Sequence, residues 1–176
     1  GENLALSGTL EMGLNTTVTV GGELDLGADG AFTGEITRAT LAVEDHFRLN
    51  RGTLTITRAT VGTDWAIWTG GSGNATINLL GGTLRTGDLT LGSSEGLRGD
   101  FVMDSSMAID PRLIFDSPGG MLVVGQSGSS TFPQNAGTVG HELGGTGPSL
   151  RIASGGLSDS QYILNDGTTV FSDATL

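Results

Sequence analysis

Three kinds of residue grouping in the sequence could do chemistry. His141-Glu142-Leu143-Gly144-Gly145 begins like the His-Glu-x-x-His of zinc peptidases, in which two imidazoles one helical turn apart share a face and hold one ion. Gly145 stands where the second imidazole is required, the only other histidine is His46, and the glycines oppose a helix, so the string reads as a solvated loop. Gly92-Ser93-Ser94-Glu95-Gly96 has the G-x-S-x-G form of a nucleophile elbow, which must join a strand to a helix. Leu97-Arg98-Gly99 follows instead, which predicts a corner turn. The acidic pairs are stronger candidates: Asp25 with Asp29, Glu44 with Asp45, Asp100 with Asp104. Carboxylates aligned on one outer face serve general acid–base cleavage of polysaccharides, and Arg38 and Arg58 would add a cation column one coil apart. The same carboxylates also keep a β-rich chain soluble and block edge pairing, and the expectation is that the protein is not an enzyme.

Composition removes other chemistries. All eight cations are Arg and no Cys occurs, which excludes a P-loop lysine, a lysine Schiff base, a thiol nucleophile, a disulfide framework and Cys-ligated metals. No cofactor and no metal ligand set is expected. A net charge of −11 opposes nucleic acid, whose binding needs clustered cations, and opposes an anionic membrane surface. No run of about 18 apolar residues predicts membrane insertion. The chain opens on Gly1-Glu2-Asn3 without a basic, apolar leader and reads as a mature, soluble product. Trp65 and Trp68 lie close together, a small platform on which a surface glycan could stack.

The elements that must position these groups are legible from glycine and periodicity. A count of 31 Gly works against helices and requires many tight turns. Ile36-Thr37-Arg38-Ala39-Thr40 recurs as Ile56-Thr57-Arg58-Ala59-Thr60, a spacing of 20 residues, and Phe47 then aligns with Ile67. Leu24-Asp25-Leu26-Gly27, Leu89-Thr90-Leu91-Gly92 and Leu122-Val123-Val124-Gly125 are short alternating strands ended by a residue able to take positive φ. Together these predict an all-β, single-domain parallel β-solenoid over 1–176 of eight or nine coils, with a β-sandwich as the alternative. A loop excursion is expected at 126–149, where apolar periodicity fades, and short helical turns at 40–48 and after Ser158. Thr17, Thr19, Thr53, Thr55 and Thr57 fall on same-facing positions, a pattern that raises an ice-binding reading as well as ordinary strand preference.

Ile77-Asn78-Leu79-Leu80-Gly81-Gly82-Thr83-Leu84, followed by Gly87-Asp88-Leu89-Thr90-Leu91-Gly92, resembles the repeat of autotransporter-associated β-strand proteins and of PEP-CTERM-type secreted proteins. The resemblance implies a right-handed parallel β-helix exported to the cell surface or beyond it, for adhesion or matrix building. An uncapped solenoid exposes strand edges at its ends. Leu4, Leu6 and Leu10 at one end and Val170, Phe171 and Leu176 at the other are therefore the expected assembly contacts, with copies of the same chain as partners. The expectation is an extracellular structural or adhesive protein, a self-assembling filament or matrix subunit joined through its terminal strands, with a carbohydrate-binding or polysaccharide-cleaving module as the alternative.

Overall fold

Strands here are short because apolar residues alternate with polar ones for only a few positions before a glycine or polar corner intervenes, as in Leu24-Asp25-Leu26 and Phe47-Arg48-Leu49. In the computed structural model, which describes residues 2–106, 108–117, 119–141, 147–153 and 159–175, these segments wind into a parallel β-solenoid. Most coils contribute three segments, and like segments stack into three faces. The first face holds Gly8–Met12, Phe32–Thr37, the leading halves of Gly52–Thr63 and Ala75–Thr86, then Gly99–Asp104, Ser130–Gln134 and Ser160–Leu164. The second holds Thr17–Val20, Thr40–Val43, the trailing halves of the same two long strands, then Pro111–Phe115, Thr138–His141 and Thr168–Thr169. The third is an eight-stranded sheet of Leu4–Leu6, Leu24–Leu26, Phe47–Leu49, Ala66–Thr69, Asp88–Leu91, Met121–Val124, Ser149–Ile152 and Asp173–Thr175.

Among the described residues every pairing between these strands is parallel, which removes the β-sandwich, a fold of antiparallel sheets. The 20-residue recurrence is one coil, since Ile36 pairs with Ile56 and Thr40 with Thr60. The period is not constant. Leu4 meets Leu24 and Phe47 meets Ile67 after 20 residues, but Leu89 meets Leu122 only after 33. Eight strands in the third face mark about seven turns, fewer than the eight or nine expected, because later corners are longer.

Two local expectations are corrected. The stretch expected to leave the coil, 126–149, supplies Ser130–Gln134 and Thr138–His141, each paired into the solenoid on its own face. Its inward residues Phe132, Gln134 and Val139 are fully buried, and the polar segments around them form corners; 142–146 lie outside the described residues. The expected helical turn at 40–48 is instead strand, corner, strand, because Leu41, Val43, Phe47 and Leu49 all point into the core. Ser158, the expected cap of a second turn, lies outside the described residues, and Ser160 and Gln161 already belong to a strand.

The core is built of columns in which like sits on like. Met12, Ile36, Ile56, Leu79 and Met103 stack in register on the first face, and Leu24, Phe47, Ile67, Leu89 and Leu122 on the third. Fully burying each such side chain is worth about 1.5–3 kcal/mol. Stacking at roughly 4.8 Å leaves no room for error at the corners. Gly52 has φ of 111° and a Cβ there would run into the carbonyl oxygen of Phe32 in the preceding coil. Between the first and second faces the chain turns through left-handed residues, namely Asn15 (61°), Arg38 (51°), Arg58 (55°) and Gly81 (81°), a conformation that costs a non-glycine residue about 1–2 kcal/mol. Backbone bonds between coils hold it, including Asn15 N–H to the Arg38 carbonyl at 3.0 Å and Arg38 N–H to that of Thr57 at 3.1 Å.

Below Met103 the apolar column ends on Gln134, which is fully buried. Its amide donates to the carbonyls of Gly137 (3.1 Å) and Thr168 (3.3 Å) and accepts from the hydroxyls of Thr169 (2.7 Å) and Tyr162. Phe101, Phe132, Tyr162 and Phe171 form an aromatic ladder beside it, with ring centroids 4.8, 4.9 and 5.6 Å apart.

Gln134→Leu removes four hydrogen bonds but leaves the Gly137 carbonyl on the Thr168 N–H at 2.8 Å and the Tyr162 and Thr169 hydroxyls on each other at 2.7 Å, and should lower unfolding free energy by about 1–3 kcal/mol, measured by denaturant titration. Burial pushes the Tyr162 phenol above its usual range, partly offset by its bond to Thr169. Stability from this group is therefore present below the unfolded phenol's pKa of about 10 and is lost as pH rises above it. Tyr162 is the only tyrosine, so phenolate absorbance should appear later than in free tyrosine and together with loss of fold, and Tyr162→Phe should flatten stability in that alkaline window.

Candidate functional site

The densest gathering of functional side chains lies on the outer surface of the third face and at the corner that leads into it. Asp25, Arg48, Trp68 and Thr90 occupy the outward position of four successive strands, in register. The preceding corners supply Glu23, the pair Asp45 and His46, and Trp65. Thr63 ties these corners together, since its hydroxyl donates to the Asp45 carbonyl and accepts from the Trp65 backbone N–H at 3.4 Å.

Arg48 grips Glu23 through two parallel bonds, Nη1 to Oε2 at 2.8 Å and Nη2 to Oε1 at 3.1 Å, with Asp25 Oδ1 at 3.6 Å. This fork geometry is the strong form of the pair. The Glu23 bond raises the Arg48 pKa, opposed by burial and helped by Asp25. The guanidinium carbon lies 5.1 Å from the Trp68 ring centre, a cation–π contact. The His46 imidazole stacks on Trp68 at 4.6 Å and 8° and on Trp65 at 5.7 Å and 26°, while Nδ1 bonds Asp45. Trp65 remains 62% exposed. Alongside runs a shallow groove of about 350 Å³ lined by Arg48, Asn50, Trp68, Gly71, Ser93 and Gln126.

This arrangement offers flat aromatic surface and planar hydrogen-bonding groups. Ligand atoms of Glu23, Asp45 and His46 lie within 4.8 Å of one another, but Glu23 is already bound by the Arg48 guanidinium, which repels a second cation from that corner. Of the groups the sequence singles out, only Asp25, Asp45, Trp65 and Trp68 come together here. Glu23, His46 and Arg48 complete the cluster without having been legible as partners, because the bond from Arg48 to Glu23 spans 25 residues. The signal that could have found it is the outward position of Arg48 and Trp68 in strands one 20-residue coil apart.

The other candidates disperse. Gly92–Gly96 is a corner, as expected, with Gly92 and Gly96 at positive φ and the Ser94 hydroxyl donating to the Gly71 carbonyl at 2.8 Å. His141 ends a strand of the second face, and Glu142 and Leu143 lie outside the described residues. Asp100 accepts from Arg98 Nε at 2.6 Å and from Thr131 N and Oγ1 at 2.8 and 2.9 Å, whereas Asp104 accepts from Ser105 N. Arg38 and Arg58 line one groove at the left-handed corner, away from these acids. A threonine ladder does form: Thr17, Thr40, Thr60 and Thr83, then Arg112, then Thr138 and Thr168. The outward column beside it reads Thr19, Ala42, Gly62, Arg85, Ile114 and Gly140, so the hydroxyl array on this face is essentially one column wide.

The expected assembly contacts sit on the terminal coils. Leu4 (37% exposed), Leu6 and Leu10 occupy the first coil, and Val170 (51%) and Phe171 the last; Leu176 lies outside the described residues. Leu14 (64%) and Leu164 (51%) are exposed on the same coils, and neither continues an obvious alternation in the sequence. Comparison with family models, curated proteins and solved structures returns no match to this chain.

Arg48→Ala removes both the fork to Glu23 and the contact with Trp68. Half-exposed pairs are screened by solvent, so the expected loss is about 1–2 kcal/mol, read by chemical denaturation, with a change in tryptophan emission in the native baseline.

Proposed function

We propose that this protein is an extracellular structural or adhesive subunit that extends itself by coil-on-coil contact between copies. The observation that carries this reading is the pair of end faces. Among the described residues, Leu4–Leu6, Gly8–Met12 and Thr17–Val20 pair on one side only, as do Ser160–Leu164, Thr168–Thr169 and Asp173–Thr175. A second copy stacked on either set of strands would pair with their outward N–H and C=O groups. Leu4 and Leu14 on one end and Leu164 and Val170 on the other add exposed apolar surface, and covering it is favourable at about 25 cal/mol per Å². The interior supports the same reading, since it is packed with apolar side chains along its length. Surface or extracellular placement rests on the repeat-level resemblance of residues 77–92, together with an acidic, lysine-free composition.

Head-to-tail joining is heterologous, which produces filaments when rotation does not close a ring. The net charge of −11 on each copy opposes the approach of a second, and salt screens that repulsion. Sedimentation velocity should therefore show a series of species that grows with protein concentration and with ionic strength, and electron microscopy should show rods longer than one copy. Leu164→Lys with Val170→Lys should return the protein to monomer with unchanged circular dichroism. A wild-type protein that stays monomeric at every concentration and salt level would remove self-assembly from this reading.

A further inference from the structure

The geometry points to the aromatic stack on the third face as a binding site for a neutral oligosaccharide, a function separate from end-to-end assembly. Trp65 leaves most of a large indole in water, where covering it with an apolar surface is favourable. The ring is nevertheless held in place, with its backbone N–H on Thr63 and its face on His46, so little conformational entropy would be lost on binding. A pyranose ring presents an apolar C–H face that lies flat on an indole, and hydroxyls around its rim that need planar or forked hydrogen-bonding partners.

Those partners line the adjoining groove. Arg48 commits one N–H of each terminal nitrogen to Glu23 and has others in its inventory, while Asn50, Ser93 and Gln126 supply amides and a hydroxyl. The groove draws these residues from four successive coils, Arg48 and Asn50 from one, then Trp68, Ser93 and Gln126 from the next three. At roughly 4.8 Å per coil it is on the order of 14 Å long, which suits several linked rings better than a single sugar.

Charge selects the class of glycan. The one guanidinium here is matched by Glu23 and Asp25, Asp45 stands beside His46, and the chain carries −11 overall. A uronate or sulfated polymer would meet repulsion, whereas a neutral chain of hydroxyls would not.

Both tryptophans of the sequence lie in this site, so their emission reports on it directly. The full chain would be titrated with cellohexaose, mannohexaose and chitohexaose, with polygalacturonate as the anionic probe and Zn²⁺ as the cation probe. The expected result is a saturable emission change with at least one neutral hexasaccharide. Its affinity should fall about tenfold in Trp65→Ala, recover in part in Trp65→Phe, and stay unchanged in Thr83→Val on the second face. Isothermal calorimetry gives the same affinities without using the tryptophans, and circular dichroism verifies that each variant folds. No response to any neutral probe overturns the inference. So does binding that Trp65→Ala leaves intact, or a response confined to polygalacturonate or to Zn²⁺.

Discussion

Each coil of this protein must lie on the one before it at the spacing of a parallel hydrogen-bonded ladder, roughly 4.8 Å, and the rest of the structure answers to that constraint. Backbone groups can be satisfied only if residues pair in register, so a side chain inherits its surroundings from the residues above and below it in the stack more than from its sequence neighbours. Ile56 is buried because Ile36 and Leu79 are its neighbours in the column. Gly52 is glycine because the Phe32 carbonyl of the preceding coil approaches from a side on which no Cβ can stand. At the Arg38 and Arg58 corner the ladder compels even arginine into a left-handed turn, and the inter-coil bonds on either side hold it there.

Register also explains why the period drifts while the fold does not. Added residues enter at corners, where the chain crosses from one face to the next and no ladder is interrupted. The interval between Leu89 and Leu122 thus reaches 33 residues without displacing either from its column. The same rule writes repeated lines of residues on the outside. Threonines separated by unequal lengths of sequence form one ladder on the second face, and Asp25, Arg48 and Trp68 form the line on the third from which the aromatic cluster grows.

Towards the C-terminal coils the interior changes character. The first-face column runs through apolar residues as far as Met103 and then meets Gln134, whose amide is satisfied on all sides by Gly137, Thr168, Thr169 and Tyr162. A polar network so placed is tolerable because each group has a partner, and it fixes the stacking of the last coils more sharply than interchangeable apolar side chains would. Beyond it, among the described residues, the outermost strands pair on one side and Leu164 and Val170 stay exposed. The outermost strand of any parallel solenoid is complemented by a further coil, whichever stretch of chain supplies it.

The sequence by itself determined the fold class, because alternation and glycine punctuation are local and the Ile36–Thr40 and Ile56–Thr60 repeat happens to span one undisturbed coil. It also determined the corner at Gly92–Gly96. Only tertiary structure decided that 130–141 stays within the coil, that Arg38 and Arg58 turn left-handed, and that Glu23, His46 and Arg48 join the two tryptophans. Their common feature is contact between successive coils across corners of unequal length. Sequence distance carries no information about that contact once the period varies, whereas the hydrogen-bonded ladder specifies it residue by residue.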